Sequence, residues 1–429
     1  MKPKRLLILA ILLALVTAAL PVASAQEPPK PTLAYIKGGN LWLRYDNNTD
    51  AALTDDAGRV VGNAAYPAYY EPRYAQPRWS PDGKWLAVVR IDRAGRTLYL
   101  ADVTQPEIRL EPVVGGLGIA FPPAWNADSL LAYVVATGQY DADGRETHNV
   151  FAVSPEDPAR ESLLLGAFGF QVGCGGGTSD PAEALYWEET ASLGGNSLAF
   201  YWTGAQIVHA TNCAGAGVAV LDLNTQTDTP LDIALARVVL SDDGGFIAGV
   251  APKGEDGASA IAIYNLDKLD TPHRVVTVAT DPNLSVGHIA WNQSATGVFF
   301  SLIQLEAERT TADSMQDRAL QVFGQSPVII RVNFCGFRFY NLIDDTNSRL
   351  YTAPAHVLAN IFVLDGNNVG FTQIDNADVW LDLFEEGRSA ADLSYNIPRQ
   401  FVIVVTLNPA GSNILLEDAG QVAVRPTEP

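Results

Sequence analysis

The stretch PRWSPDGKWLAVVR at residues 77–90 constrains this chain more than any other, because degraded copies of it recur along the chain. In this unit Trp79 closes one strand, where its ring can fill the space between neighbouring sheets. Ser80-Pro81-Asp82-Gly83 makes a tight turn: Pro81 sets φ, Asp82 bonds the local backbone and Gly83 tolerates positive φ. Leu86, Val88 and Val89 carry a second strand. TLYLADV at 97–103 supplies a third and IRLEPV at 108–113 a fourth. Related units start at Pro123 (PAWNADSLLAYVV), Val238 (VVLSDDGGFIAGV), His288 (HIAWNQSATGVFFSL) and Ile361 (IFVLDGNNVGFTQ). A looser one, ALYWEETASLGGNSLAFYW, starts at Ala184 and has a longer turn. That makes six units of first and second strand.

Third strands can be counted separately. They are NLWLRYD (40–46), TLYLADV (97–103), NVFAVS (149–154), VAVLDLN (218–224), IAIYNLD (261–267), FRFYNLI (337–343) and DVWLDLF (378–384), seven in all. The N-terminal unit therefore has TLAYIKG, NLWLRYD and AALTDD but no first strand. The chain's end offers RQFVIVVTLN (399–408) and NILLED (413–418): one is expected to be the outer strand of the last unit, the other to complete the first. A ring closed in this way leaves no sheet edge open to aggregation. Stacked four-stranded units closing on themselves predict an all-β propeller of seven blades, with six as the alternative count. These motifs resemble the TolB-type propeller repeat, also seen in the propellers of prolyl-oligopeptidase-like proteins. PRWSPDGKWLA is the close match, and the degenerate copies extend it over nearly the whole chain after the leader. The resemblance implies fold far more than function. Strands are expected to begin soon after the leader, leaving no room for the amino-terminal domain of TolB or the hydrolase domain of the peptidase relatives.

The leader itself is MKPKR, then fifteen apolar residues (LLILAILLALVTAAL), then PVASA. Charged, apolar and small-residue segments in that order predict a signal peptide at 1–25, cut after Ala25. The apolar run falls short of the ~20 residues that span a bilayer. Residues 26–31 (QEPPKP) read as a stiff linker, and the propeller as residues 32–429 with a long insertion at 303–336. Losing Lys2, Lys4 and Arg5 with the leader takes the net charge from −20 to −23. So acidic a body repels phosphate backbones, and nucleic acid is excluded as a partner. A periplasmic or extracellular monomer with no membrane span after cleavage is expected.

Export permits disulfides. Cys174 and Cys213 are both expected in upper links of one blade and are the favoured pair. Pairing of either with Cys335 stays open, as do three reduced thiols. Among catalytic signatures, nucleophile elbows, phosphate loops, HExxH helices and dinucleotide fingerprints are all missing from the sequence. YDADGRE (140–146) has only part of a calcium loop's spacing. Glu188 and Glu189 follow Trp187, but adjacent strand residues point to opposite faces and cannot share one bond. No metal or cofactor is expected. The default site is the mouth of the central channel. Aligning the inner strands on Trp79, Trp125, Trp187, Leu240, Trp291 and Leu364 puts Gln76, Arg237 and His288 at one level, with Arg78 and Tyr186 two residues on. Arg78, Arg237 and His288 would form a basic patch able to hold a carboxylate or phosphate. Alternatively, each pairs with an acidic loop. With long links expected on one face, the chain reads as a non-catalytic binding module for a protein, peptide or glycan. The alternative is a propeller-type enzyme, a lyase or hydrolase, with its site at the channel mouth.

Overall fold

A computed structural model describes residues 29–63, 66–116, 121–142, 146–169, 198–211, 218–233, 235–307, 330–353, 357–375 and 399–426. They form seven antiparallel four-stranded sheets arranged as the blades of a propeller, plus one hairpin. Blades two to seven each use four consecutive strands, within residues 73–115, 124–168, 198–230, 236–279, 284–353 and 357–417. Blade one takes Pro31–Lys37, Asn40–Tyr45 and Asp50–Ala52 from the start of the chain and Ala419–Val424 from its end. Ring closure by a C-terminal strand is thus as expected, but by a different strand. RQFVIVVTLN forms the third strand of blade seven (Arg399–Thr406), NILLED its outer strand (Gly411–Glu417), and the closing strand follows them. DVWLDLF, read as that third strand, lies outside the described residues. Arg399–Thr406 suits an interior position better: Val402, Ile403, Val404 and Val405 are all buried, so both faces are covered.

Blade four also departs from its reading. Its inner strand is Leu198–Trp202, read from sequence as a second strand, and Gln206–Thr211 is its second. Trp202 thereby takes the place of Trp79 at the end of an inner strand, before the short turn Thr203-Gly204-Ala205. The other five interior third strands and that of blade one fall where the repeat puts them. Strands Gly297–Ala307 and Ile330–Asn341 pair to their ends, Ala307 opposite Ile330, so the ladder of blade six runs into the expected insertion from both sides.

The core is not central. It consists of seven apolar wedges, one between each pair of neighbouring blades. Between blades one and two, for example, Leu41 and Leu43 meet Trp79, Leu86 and Val88. Burying side chains of this size contributes about 1.5–3 kcal/mol each. The repeated tryptophan adds a polar staple: the indole N–H of Trp79 donates to Ala423 O, that of Trp125 to Arg78 O and that of Trp291 to Val239 O, each at 3.1 Å. Each bond reaches back to the inner strand of the preceding blade. In the turn, Ser80 Oγ donates to Asp82 Oδ1 at 2.6 Å and accepts the Trp85 N–H at 2.9 Å. Ser241 and Asp243 repeat this in blade five. Gly83 has φ +66°, and a Cβ there would press on the Arg425 side chain.

Candidate functional site

The inner strand is the first of blades two to seven and the closing strand of blade one, and inner strands of most successive blades touch around the propeller axis. Among the described residues, pairing with the second strand slips at the same level in five of these inner strands. The slips lie between Ala75 and Arg78, Ala236 and Val239, Val286 and Ile289, and Ala359 and Phe362. In blade one the slip leaves Gln421 and Val422 between the pairs Ile36–Gly420 and Ala34–Ala423. Each is a two-residue β-bulge, a device that bends a strand and re-aims a side chain. The first residue of four of these bulges is left-handed: Gln76 (φ 57°), Arg237 (φ 52°), Asn360 (φ 48°) and Gln421 (φ 50°). For a residue with a Cβ this conformation costs roughly 1–2 kcal/mol. Blade six has Gly287 at that position, where a Cβ would collide with Ser301 Oγ.

The bulge residues bridge neighbouring blades. Gln76 N–H of blade two donates to Gln421 Oε1 of blade one at 2.7 Å. Asn360 Nδ2 of blade seven donates to Val422 O of blade one at 3.3 Å. The guanidinium of Arg237 in blade five donates to Val286 O of blade six. Arg237 is buried. The result is a belt of amide and guanidinium groups at one height on the inner strands of blades one, two, five and seven.

Gln76 and Arg237 lie on this belt, as the alignment of inner strands expects. His288 is the second residue of its bulge, beside Gly287, and its backbone N–H donates to Ser301 Oγ at 2.9 Å. Arg78 lies beyond the bulge toward the lower turn and is exposed, with its carbonyl accepting the Trp125 indole. Tyr186, Trp187, Glu188, Glu189, Cys174 and Cys213 lie outside the described residues. Cys335 is on the third strand of blade six, opposite Ile303 and Ala353. Among the described residues, no three His, Cys, Asp or Glu side chains gather as a metal site. Asn360 and Gln421 were not singled out from sequence. The lower turn of blade seven is one residue shorter than that of blade two, so counting back from Leu364 lands on Ile361 instead of Asn360. Gln421 sits on the closing strand, which was assigned elsewhere.

Above the belt, on the face carrying the blade-to-blade links, hairpin Arg59–Asn63/Tyr66–Glu71 lies in the link between blades one and two. Its base is tied down. Gly58 N donates to Pro72 O at 2.8 Å, Ala57 N to Asn40 Oδ1 at 3.0 Å, and Arg93 meets Glu71 at 3.4 Å. Below it Tyr74 Oη donates to Asp56 Oδ1 at 2.9 Å, and burial together with that carboxylate pushes the phenol well above its ordinary range. A separate groove of about 400 Å³ lies between blades six and seven, lined by Tyr351, Gln373, Phe401 and Asn413 among others. Its lining runs from the outer strand of blade six to the second, third and outer strands of blade seven.

No family model and no curated protein matches this chain. Solved structures do. Prolyl endopeptidases match with a TM-score of 0.51 at 11% identity, over 93% of this chain and 50% of that one. An oligogalacturonate lyase in complex with manganese matches at 0.44 and 13% identity, over 90% and 85%. TolB from Acinetobacter baumannii matches at 0.39 and 13% identity, over 74% and 62%. The chain thus spans 62% of that TolB and half of that endopeptidase. Likeness at such identities establishes the propeller fold alone. The expectation of a non-catalytic binding module is corrected at this point: a propeller matching at 0.51 is part of an endopeptidase, so the alternative reading is the one carried forward.

Proposed function

We propose that this chain is an exported propeller-type enzyme of the hydrolase or lyase class, handling its substrate at the channel mouth. The observation that carries this reading is the belt of bulges. Strained left-handed residues with polar side chains recur at one level of the channel wall, and such strain concentrates at functional sites. The likeness to prolyl endopeptidases over 93% of the chain supports the class. Because the chain spans half of that protein, the activity itself belongs to the proposal. In this reading Arg237 stabilises negative charge developing on the substrate, aided by its buried position. His288 carries the proton. Gln76, Asn360 and Gln421 orient the substrate through their amides. Export rests on the order MKPKR, apolar run, PVASA; sequencing the N-terminus of the secreted protein should find Gln26 first.

The test is a turnover screen of the purified chain against peptides, acylated peptides and acidic oligosaccharides, with products read by mass spectrometry. One class is expected to turn over. Arg237→Gln should lower kcat/KM about 100-fold, the scale of losing one charge-stabilising donor. A folded protein that cleaves none of these classes would sink the reading.

A further inference from the structure

The groove between blades six and seven is built from side chains that the chemistry proposed for the channel does not use. Gln373 and Phe401 pair directly across the second and third strands of blade seven, and Ile403 and Ile414 across its third and outer strands. Directly paired residues share a face, and so do residues two apart on a strand. These four therefore stand on the surface turned to blade six, where Phe401 and Ile403 join the six–seven wedge. From blade six, Tyr351 reaches across. Its ring lies 5.4 Å from that of Phe371, tilted by 48°, and its Oη donates to Gln373 Oε1 at 3.3 Å. Ser412 on the outer strand completes the lining.

Gln373 is the group that points to a ligand. It is only 9% exposed. With Oε1 engaged by Tyr351, its Nε2 still carries two N–H donors, and among the described residues nothing accepts them. A buried donor left unmet costs free energy, and natural proteins seldom keep one. This one lines a cavity of about 400 Å³, within the size range of small-molecule sites. The cavity's character is equally specific. Among the described residues, no Asp, Glu, Lys or Arg lines it, so an ion would enter without a counter-charge and at a desolvation cost. What the lining offers is aromatic and aliphatic surface, extended to the rim by Ile414 at 53% exposure, with amide and hydroxyl groups at separate points. A neutral sugar ring has the matching form: an apolar C–H face and a rim of hydroxyls that donate and accept.

We propose that this groove is a second site, one that binds a neutral saccharide. A sugar ring lies against Tyr351 and Phe401, its oxygens accept from Gln373 Nε2, and Ser412 Oγ takes a further hydroxyl. The site stands independently of the channel-mouth reading, and its occupancy is measured without turnover. Ligand-observed NMR titration of the full chain is the test, with glucose, cellobiose, maltose, lactose and xylobiose as neutral sugars. Glucuronate and the dipeptide acetyl-Phe-Gly-amide are the contrasting probes. At least one neutral sugar should bind. Gln373→Met should weaken it about five- to tenfold, the loss of one hydrogen-bonding amide. Tyr351→Leu should weaken it about fivefold, the loss of an aromatic face. In thermal melts Gln373→Met should leave the midpoint unchanged or raise it, because it removes a buried donor that has no partner. Ile343→Thr, at a residue 78% exposed on the turn before the outer strand of blade six, should change nothing. Four results would each overturn the proposal: no neutral sugar binds; both groove variants bind it like wild type; glucuronate binds more tightly than glucose; or the dipeptide alone binds. A Gln373→Met variant that melts lower yet binds normally would make the amide structural and overturn it too.

Discussion

Two seams of the ring are built differently. Between blades one and two, where the closing strand from the chain's end lies against the inner strand of blade two, polar clamps accumulate. Trp79 donates to Ala423 O, and Gln76 N–H to Gln421. Arg425 donates to Gly83 O at 2.7 Å and to Pro31 O at 3.2 Å, and stands over the Trp79 ring at 5.7 Å. Between blades three and four the described contacts are aromatic. Phe121 lies against Phe200 at 5.5 Å and His148 at 6.2 Å, and Phe168 against His209 at 5.9 Å. Even the staple is missing there: the Trp202 indole donates to Gly204 O within its own turn. The contrast teaches that the closing strand is registered by directional bonds. The three–four seam, to which the chain's end contributes no strand, relies on non-directional burial.

If that is so, the largest single effect falls at the aromatic seam. Phe121→Ala removes a ring that is 6% exposed at the centre of the wedge. It should cost about 3–5 kcal/mol in denaturant unfolding. Arg425→Met should cost less, about 1–3 kcal/mol, because it removes two charge-assisted bonds and a cation–π contact but little apolar burial. If Arg425→Met proves the more damaging of the two, polar registration contributes more than burial and the contrast fails.

The parts of the fold legible in sequence are those where turn chemistry and packing coincide. At Trp79 and Trp291 the tryptophan ends its strand, the turn follows at once and the indole finds the preceding blade, so one motif reports two constraints. Blade four separates them. Trp187 imitates the motif, whereas the strand end is Trp202, whose turn lacks the Asp-Gly signature. In blade seven an apolar closing run and an outer strand follow each other so closely that assigning one displaced the next. Of the belt, Gln76, Arg237 and His288 could be reached by counting back from the turn. The bulge itself could not, because it is set by pairing between strands. That is why Asn360 and Gln421 were invisible to a count of residues.

The smallest effect is also the one that separates the seams by pH. His148 is fully buried at the aromatic seam, with Phe121 edge-on to it, and burial lowers its pKa although Glu146 at 4.0 Å opposes this. A histidine depressed in the folded state is neutral in both states at neutral pH and favours neither. Below its unfolded value of about 6.5 the unfolded chain takes up the proton first. Stability is therefore lost as pH falls through 6.5 toward the folded value, with a slope of at most about 1.4 kcal/mol per pH unit for one proton. Melting temperatures measured from pH 7.5 to 5 should fall, and His148→Leu should flatten the fall while Arg425→Met leaves its slope unchanged. An equal slope in wild type and His148→Leu would mean that the proton-sensitive group lies elsewhere. Burial at the three–four seam would then have been wrongly credited with shaping the acid response.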